Sequence, residues 1–157
     1  MFDWISFSID STDEFVNEAI GRGREHLGIV VKLLELCHSK IKIKINTVAN
    51  QYNLNDLETI YQLISTYHID QWKIFRFYPL RRGNKNRDLF YVDEWESQEI
   101  ERFVAEKKKY TTMQIHYNNF DEYKTSYFNI YSDGSVENQD SCTIGNLLED
   151  DIFDILK

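Results

Sequence analysis

Residues 41–46, Ile-Lys-Ile-Lys-Ile-Asn, put Lys42, Lys44 and Asn46 on one side of an extended chain and Ile41, Ile43 and Ile45 on the other. Residues 4–10 repeat the pattern, with Ile5, Phe7 and Ile9 opposing Trp4, Ser6, Ser8 and Asp10. In a third stretch, 71–79, Lys73 stands among aromatic residues. Ammonium, amide and hydroxyl groups brought together in this way bind anions through charge-assisted hydrogen bonds. Gly21-Arg22-Gly23 is a second candidate: arginine grips a carboxylate with two parallel hydrogen bonds, and a glycine pair can cradle a phosphate or carboxylate. The same three residues also suit a surface loop with a solvated arginine, because G-x-G outside a strand–turn–helix context carries little information.

Those side chains need elements to hold them. Residues 4–10, 41–48 and 71–79 read as strands, and Pro79 marks the end or the edge of the third. Between them, residues 12–20 open with Thr12 and early acids as a short helix, 29–39 carry an apolar stripe of helical period, and 54–67 set Leu54, Leu57, Ile60, Tyr61 and Ile64 on one side of a helix. Strand, helix, strand, helix, strand at this spacing predicts parallel βαβ units. Residues 80–90 form a basic, Asn-containing loop, whose Arg81–Arg87 stretch has no assigned role and suits a solvated loop. Residues 93–109 form a charged amphipathic helix. Residues 112–117 and 125–131 are strand-like, Ser132-Asp133-Gly134 signals a hairpin turn toward Val136, and Ile144 to Lys157 ends in a short acidic helix. The tail after residue 110 breaks the βαβ rhythm and reads as an appended antiparallel element.

Parallel strands are usually covered on both faces and read as apolar runs, so the polar side of these strands needs an explanation. One is an antiparallel sheet with a solvated face. The other is a barrel with helices only outside and a polar lining, where bound ligand offsets the several kcal/mol that unpaired polar groups cost. In such barrels ligands gather at the C-terminal ends of the strands. Asp10, Asn46 and the stretch from Arg76 to Arg82 fall there.

Composition bounds the rest. The 157 residues suit one domain, and 42% apolar and 15% aromatic content is enough for a core. Lysine and arginine number 18 against 26 acids, a net charge of −8, which argues against nucleic acid as a partner. No apolar run approaches the ~18 residues that cross a membrane, and the N-terminus lacks a secretory pattern, which points to the cytoplasm. Cys37 and Cys142 make neither a disulfide framework nor a C-x-x-C pair, and Cys37 lies on the apolar stripe with Val30, Leu33 and Leu34.

The strings ISFSIDS with EFVNEAIGRGR, then IKIKINTVAN, then DQWKIFRFYPL, with TSYFNIYSDG near the end, resemble the radical S-adenosylmethionine enzymes, and within them the viperin-like nucleotide dehydratases. The resemblance implies an α/β fold, half of a partial (β/α)6 barrel with residues 4–9, 41–48 and 71–79 as its fourth to sixth strands. It further implies two domains, residues 1–110 for that half barrel and 111–157 for a short α+β extension. By the same resemblance Ser8 contacts S-adenosylmethionine, Arg22 meets its methionine carboxylate, Lys44 and Lys73 bind phosphate, Asn46 lies at the nucleotide, and Tyr127 stands near the substrate. The activity implied is dehydration of a nucleoside triphosphate such as CTP by a 5′-deoxyadenosyl radical.

Departures from the family pattern qualify these expectations. Gln71 stands where relatives often carry arginine, the crossover between Arg22 and Lys44 is shorter, and the glycine-rich second-strand motif is absent. No C-x3-C-x2-C is present, and a [4Fe–4S] cluster needs three thiolates. The sequence therefore implies the C-terminal portion of such an enzyme, inactive alone, with S-adenosylmethionine as cofactor and a cluster only if an N-terminal half supplies it. Residues 4–10 would then be an open edge strand, inviting that half or self-association. A non-enzymatic nucleotide-binding or interaction module, or a radical enzyme acting on another substrate such as a peptide, are the alternatives; two lysines and an asparagine favour a phosphorylated substrate over a peptide.

Overall fold

The computed structural model describes residues 3–37, 40–77, 87–119, 128–138 and 142–155. Strands β1 (Trp4–Ser8), β2 (Lys42–Ala49), β3 (Gln71–Arg76) and β4 (Gln114–Asn118) form one sheet in that order, every neighbouring pair parallel. Helices α1 (Glu14–Ala19) and α2 (His26–Cys37) connect β1 to β2. A 3-10 turn (Leu54–Asp56) and α3 (Leu57–Ile64) lead to β3, and α4 (Arg87–Phe90) and α5 (Glu94–Lys107) precede β4. The antiparallel alternative for the Lys-Ile alternation is thereby excluded.

Alternation decides the faces. Ile43, Ile45, Thr47 and Ala49 of β2 are buried, while Lys42 is exposed and Lys44, Asn46 and Val48 are half-buried. The buried set joins Phe7 and Ile9, Trp72 and Ile74, and Ile115 from the other strands in one core with Val30 and Leu34 of α2, Leu57, Ile60 and Ile64 of α3, and Ile100 and Val104 of α5. All three helices therefore cover the same face. Trp72, fully buried, stacks on Tyr61 and meets Phe103 edge-on, and its indole N–H donates to Thr47 Oγ1 at 2.9 Å. Thr47 donates in turn to the Ile9 carbonyl at 2.6 Å, so a polar relay crosses the core side of three strands and fixes their register.

Two local expectations are corrected. Thr12 does not cap α1: its hydroxyl and its N–H both go to Asp56, and Asp13 takes over, accepting from the N–H groups of Phe15 and Val16. Residues 112–117, expected in the appended element after residue 110, instead supply β4 of the parallel sheet. Helix α5, entered through a capping box of Asp93 and Glu96, is one more crossover, and Ile115 extends the apolar row beside Trp72.

A second compact unit holds residues 128–138 and 142–155. Here β5 (Asn129–Ile130), β6 (Ser135–Glu137) and β7 (Thr143–Asn146) form an antiparallel sheet, followed by α6 (Ile152–Ile155). The hairpin read from Ser132-Asp133-Gly134 is present. Gly134 has φ +83, and a Cβ there would meet Asn146 Oδ1 at 2.4 Å, so only glycine fits. Among the described residues no helix is long and apolar enough to cross a membrane.

Candidate functional site

The face of the sheet opposite helices α2, α3 and α5 carries the predicted site residues in register. Ser8 pairs with Asn46, Asn46 with Lys73, and Lys73 with His116, so the four share one row across the four strands. One step toward the strand N-termini, Ser6, Lys44, Gln71 and Gln114 form a second row. Adjacent positions in such rows are ~4.8 Å apart. No aspartate or glutamate occupies an open-face position of the four strands, although the chain carries 26 acids. Neither Lys44 nor Lys73 makes an ion pair among the described residues, and both are half-buried. Lys42, nearer the strand start, lies over the Trp4 ring at 5.3 Å.

Asn46 is oriented by its own side chain: Nδ2 donates to Ser6 Oγ at 2.9 Å, and Oδ1 is buried with no partner among the described residues. An orphaned carbonyl costs roughly 1–3 kcal/mol of desolvation. Ser8 is held from behind, its carbonyl accepting from His26 Nε2 at 2.8 Å, which ties the end of β1 to the start of α2.

At the C-terminal ends of β1 and β2 lies a buried polar knot. Asp10, 3% exposed, accepts from Val48 N–H at 2.7 Å and from Arg22 Nε at 2.6 Å. Asn53 Nδ2 donates to the carbonyls of Asp10 and Val48. Gly21-Arg22-Gly23 is what delivers the arginine. Gly21, at φ +85, closes α1 in a Schellman motif, with Gly21 N–H on the Glu18 carbonyl and Arg22 N–H on the Asn17 carbonyl. Arg22 is thus no freely solvated loop residue. Its Nε is committed to Asp10, and its side chain keeps 36% exposure.

Nearby, Asp56 clamps the β1–α1 loop through Ser11 and Thr12 and also accepts from Thr59 in the first turn of α3. Burial alone would raise the Asp56 carboxyl, but these hydroxyls and the Thr12 N–H outweigh it and hold the group below the usual carboxylate range. At the end of β3, Arg76 turns its guanidinium to the Val92 carbonyl, Glu94 and Asn119, so it acts as a brace to the α5 entry.

Ser8, Lys44, Asn46 and Lys73 are therefore gathered on one face, and Arg22 lies at the strand ends beside Asp10. Tyr127 and most of the Arg81–Arg87 loop lie outside the described residues. The sequence reading missed His116, although Gln114-Ile-His116-Tyr carried the same alternation, and it missed Asn53 and His26, whose roles are tertiary. A cleft of ≈ 460 Å³ on the helical side, lined by Glu58, Trp95, Glu96 and Phe103 among others, is acidic and unsuited to an anion.

The residues do not fit an iron–sulfur cluster. Cys37 is half-buried within α2, Cys142 is exposed in the second unit, and no group of His, Cys, Asp or Glu suited to a metal ion occurs among the described residues.

No family model matches the chain. It is 33% identical over 132 residues to an S-adenosylmethionine-dependent nucleotide dehydratase of Lacinutrix mariniflava, covering 80% of this chain and 26% of that protein. It is 30% identical to a protein of the same name from Flammeovirga pacifica, over 54% of this chain and 30% of that one. To the S-adenosylmethionine-dependent nucleotide dehydratase RSAD2 of Oncorhynchus mykiss it is 28% identical, over 69% of this chain and 30% of the relative. The chain thus spans less than a third of the length of these curated relatives. Among solved structures it matches SuiB of Streptococcus suis, crystallised with S-adenosylmethionine, at TM-score 0.69 and 12% identity, covering 98% of this chain and 42% of SuiB. The chain has the α/β fold of part of a radical S-adenosylmethionine enzyme and is homologous to the S-adenosylmethionine-dependent nucleotide dehydratases.

Proposed function

We propose that this chain is the nucleotide-binding, C-terminal portion of a viperin-like radical S-adenosylmethionine enzyme that dehydrates a nucleoside triphosphate such as CTP. The observation that carries this reading is the acid-free face of the four strands, on which Lys44 and Lys73 stand half-buried without carboxylate partners among the described residues while Ser8 and Asn46 share the row of Lys73. Unpaired ammonium groups on a partly shielded face repel one another, and a polyphosphate between them relieves that repulsion. Arg22 is assigned to the methionine carboxylate of S-adenosylmethionine, since Asp10 engages only its Nε and the side chain keeps 36% exposure. S-adenosylmethionine itself, when bound, supplies the adenosyl group that the family chemistry consumes.

The thiolates for a cluster are not among this chain's residues, so a second, cluster-bearing polypeptide or segment would supply them. Two features suit such a partner. Among the described residues β1 pairs only with β2, leaving its other edge open, and α2, tied to β1 through His26, turns Ile29, Leu33 and Leu36 outward. A nucleotide-binding module without enzymatic activity is the second reading, favoured by the missing thiolates alone.

Calorimetric titration with CTP tests the site. Lys44→Ala and Lys73→Ala should each weaken binding about tenfold, corresponding to ~1.4 kcal/mol. Unchanged affinity in both variants would remove the phosphate assignment. Formation of 5′-deoxyadenosine on mixing this chain with a cluster-bearing N-terminal half and CTP separates the enzyme from the module.

A further inference from the structure

We infer that His116 is an additional contact of the anionic face, placed beside Lys73 to hold the phosphate tail of the nucleotide. The inference rests on the nucleotide reading above and adds a residue from β4, a strand that lies beyond the stretch carrying the lysine and asparagine motifs. Three observations carry it. His116 is the β4 partner of Lys73 in the same row as Ser8 and Asn46, one inter-strand step of ~4.8 Å away. It is exposed on the face opposite the helices, between the buried Ile115 and the half-buried Tyr117 of the helix-covered side. Among the described residues its imidazole makes no hydrogen bond or ion pair, in contrast to His26, which is spent on the Ser8 carbonyl.

The electrostatic setting is one-sided. From β3 the charged group facing His116 is Lys73. Helix α5, the other element packed on β4, lies across the sheet, where Ser97 meets the Tyr117 hydroxyl and Glu94 meets Arg76. Among the described residues no strand carboxylate shares this face with His116, and Lys73 is its charged neighbour. A phosphate bridging the two accepts hydrogen bonds from both. Because only an imidazolium donates from both ring nitrogens, such a contact is stronger below the ordinary histidine range than above it.

The test uses the full chain and CTP at pH ~6 and pH ~8, which bracket the ordinary titration of histidine. His116→Gln should weaken CTP binding about five- to tenfold at the lower pH and about twofold or less at the higher, roughly the loss of one charged hydrogen bond. Protonation of CTP itself is common to both proteins and cancels in the ratio. As an independent readout, the imidazole C–H resonance of His116 should move at fixed pH once inorganic tripolyphosphate is added. A His116→Gln protein that matches the parent at both pH values, with an unmoved resonance, overturns the inference; if Lys73→Ala still weakens binding, the phosphate reading survives it. If Lys73→Ala and His116→Gln are both silent, the face does not bind phosphate and both ideas fall together.

Discussion

On the covered face of the four-stranded sheet, Phe7, Ile45, Trp72 and Ile115 lie side by side across the strands with at most 9% exposure. One residue further along each strand, the other face carries Ser8, Asn46, Lys73 and His116. The backbone, the twist and the hydrogen-bond ladder are common to both rows, so side chains alone make them different. The first row is joined by helices α2, α3 and α5 into the core and contributes to stability at roughly 25 cal/mol per Å² of buried apolar surface. The second gains nothing of that kind. Its lysine, its histidine and an orphaned amide oxygen are neutral or costly to folding. A strand that keeps such groups on a half-shielded face is shaped by what binds there.

The sharpest way to break the comparison is to mutate neighbours. Trp72→Ala should cost ~3–5 kcal/mol, because it leaves a large cavity beneath Tyr61 and Phe103 and orphans the Thr47 hydroxyl as an acceptor. Lys73→Ala, on the next residue, should stay within ~0.5 kcal/mol of the parent. Urea unfolding followed by tryptophan-independent circular dichroism reads both. Comparable losses from the two variants would mean that the open face is structural after all. Next in size is Asp10→Ala, expected to cost ~1.5–3 kcal/mol because the buried carboxylate accepts from both Val48 N–H and Arg22. Arg22→Ala should cost less, since Asp10 then keeps the Val48 N–H and the arginine that is lost was one-third exposed. If Arg22→Ala proves the more damaging of the two, the knot at the strand ends is organised by the arginine and its assignment to a ligand weakens.

How much of this could be read from the chain follows from the range of the forces involved. The period-two alternation of residues 41–46 is local, and it placed Lys44 and Asn46 on the correct face without any coordinates. Helical crossovers then selected parallel pairing, which is also a local inference. Residues 112–117 went to the wrong sheet because a lone strand carries no label for its partner; only the packing of α5 and the row begun by Trp72 decide it. Thr12 was misread as a cap because its competitor, Asp56, lies far along the chain. His116 was overlooked for the same reason: its meaning lies in register with Lys73, which sequence spacing does not express.

Asp56 supplies the smallest and most specific contrast, since it is a carboxylate used for stability on a chain whose open sheet face excludes carboxylates. Its folded form is held below the ordinary range by Ser11, Thr12 and Thr59 in spite of burial. The unfolded chain therefore takes up this proton first as the solution is acidified. The stability that Asp56 contributes is complete above the unfolded value near ~3.9 and is lost as the pH drops through the lower folded value. Urea midpoints measured from neutral pH downward should fall steeply in that acid window for the parent chain. Asp56→Asn should start lower, by ~1 kcal/mol, and show a shallower decline there, because an amide cannot titrate and accepts only part of the same hydrogen bonds. A parallel decline in the two proteins would mean that other carboxylates carry the acid sensitivity. The clamp on the β1–α1 loop would then be geometric, with no electrostatic share.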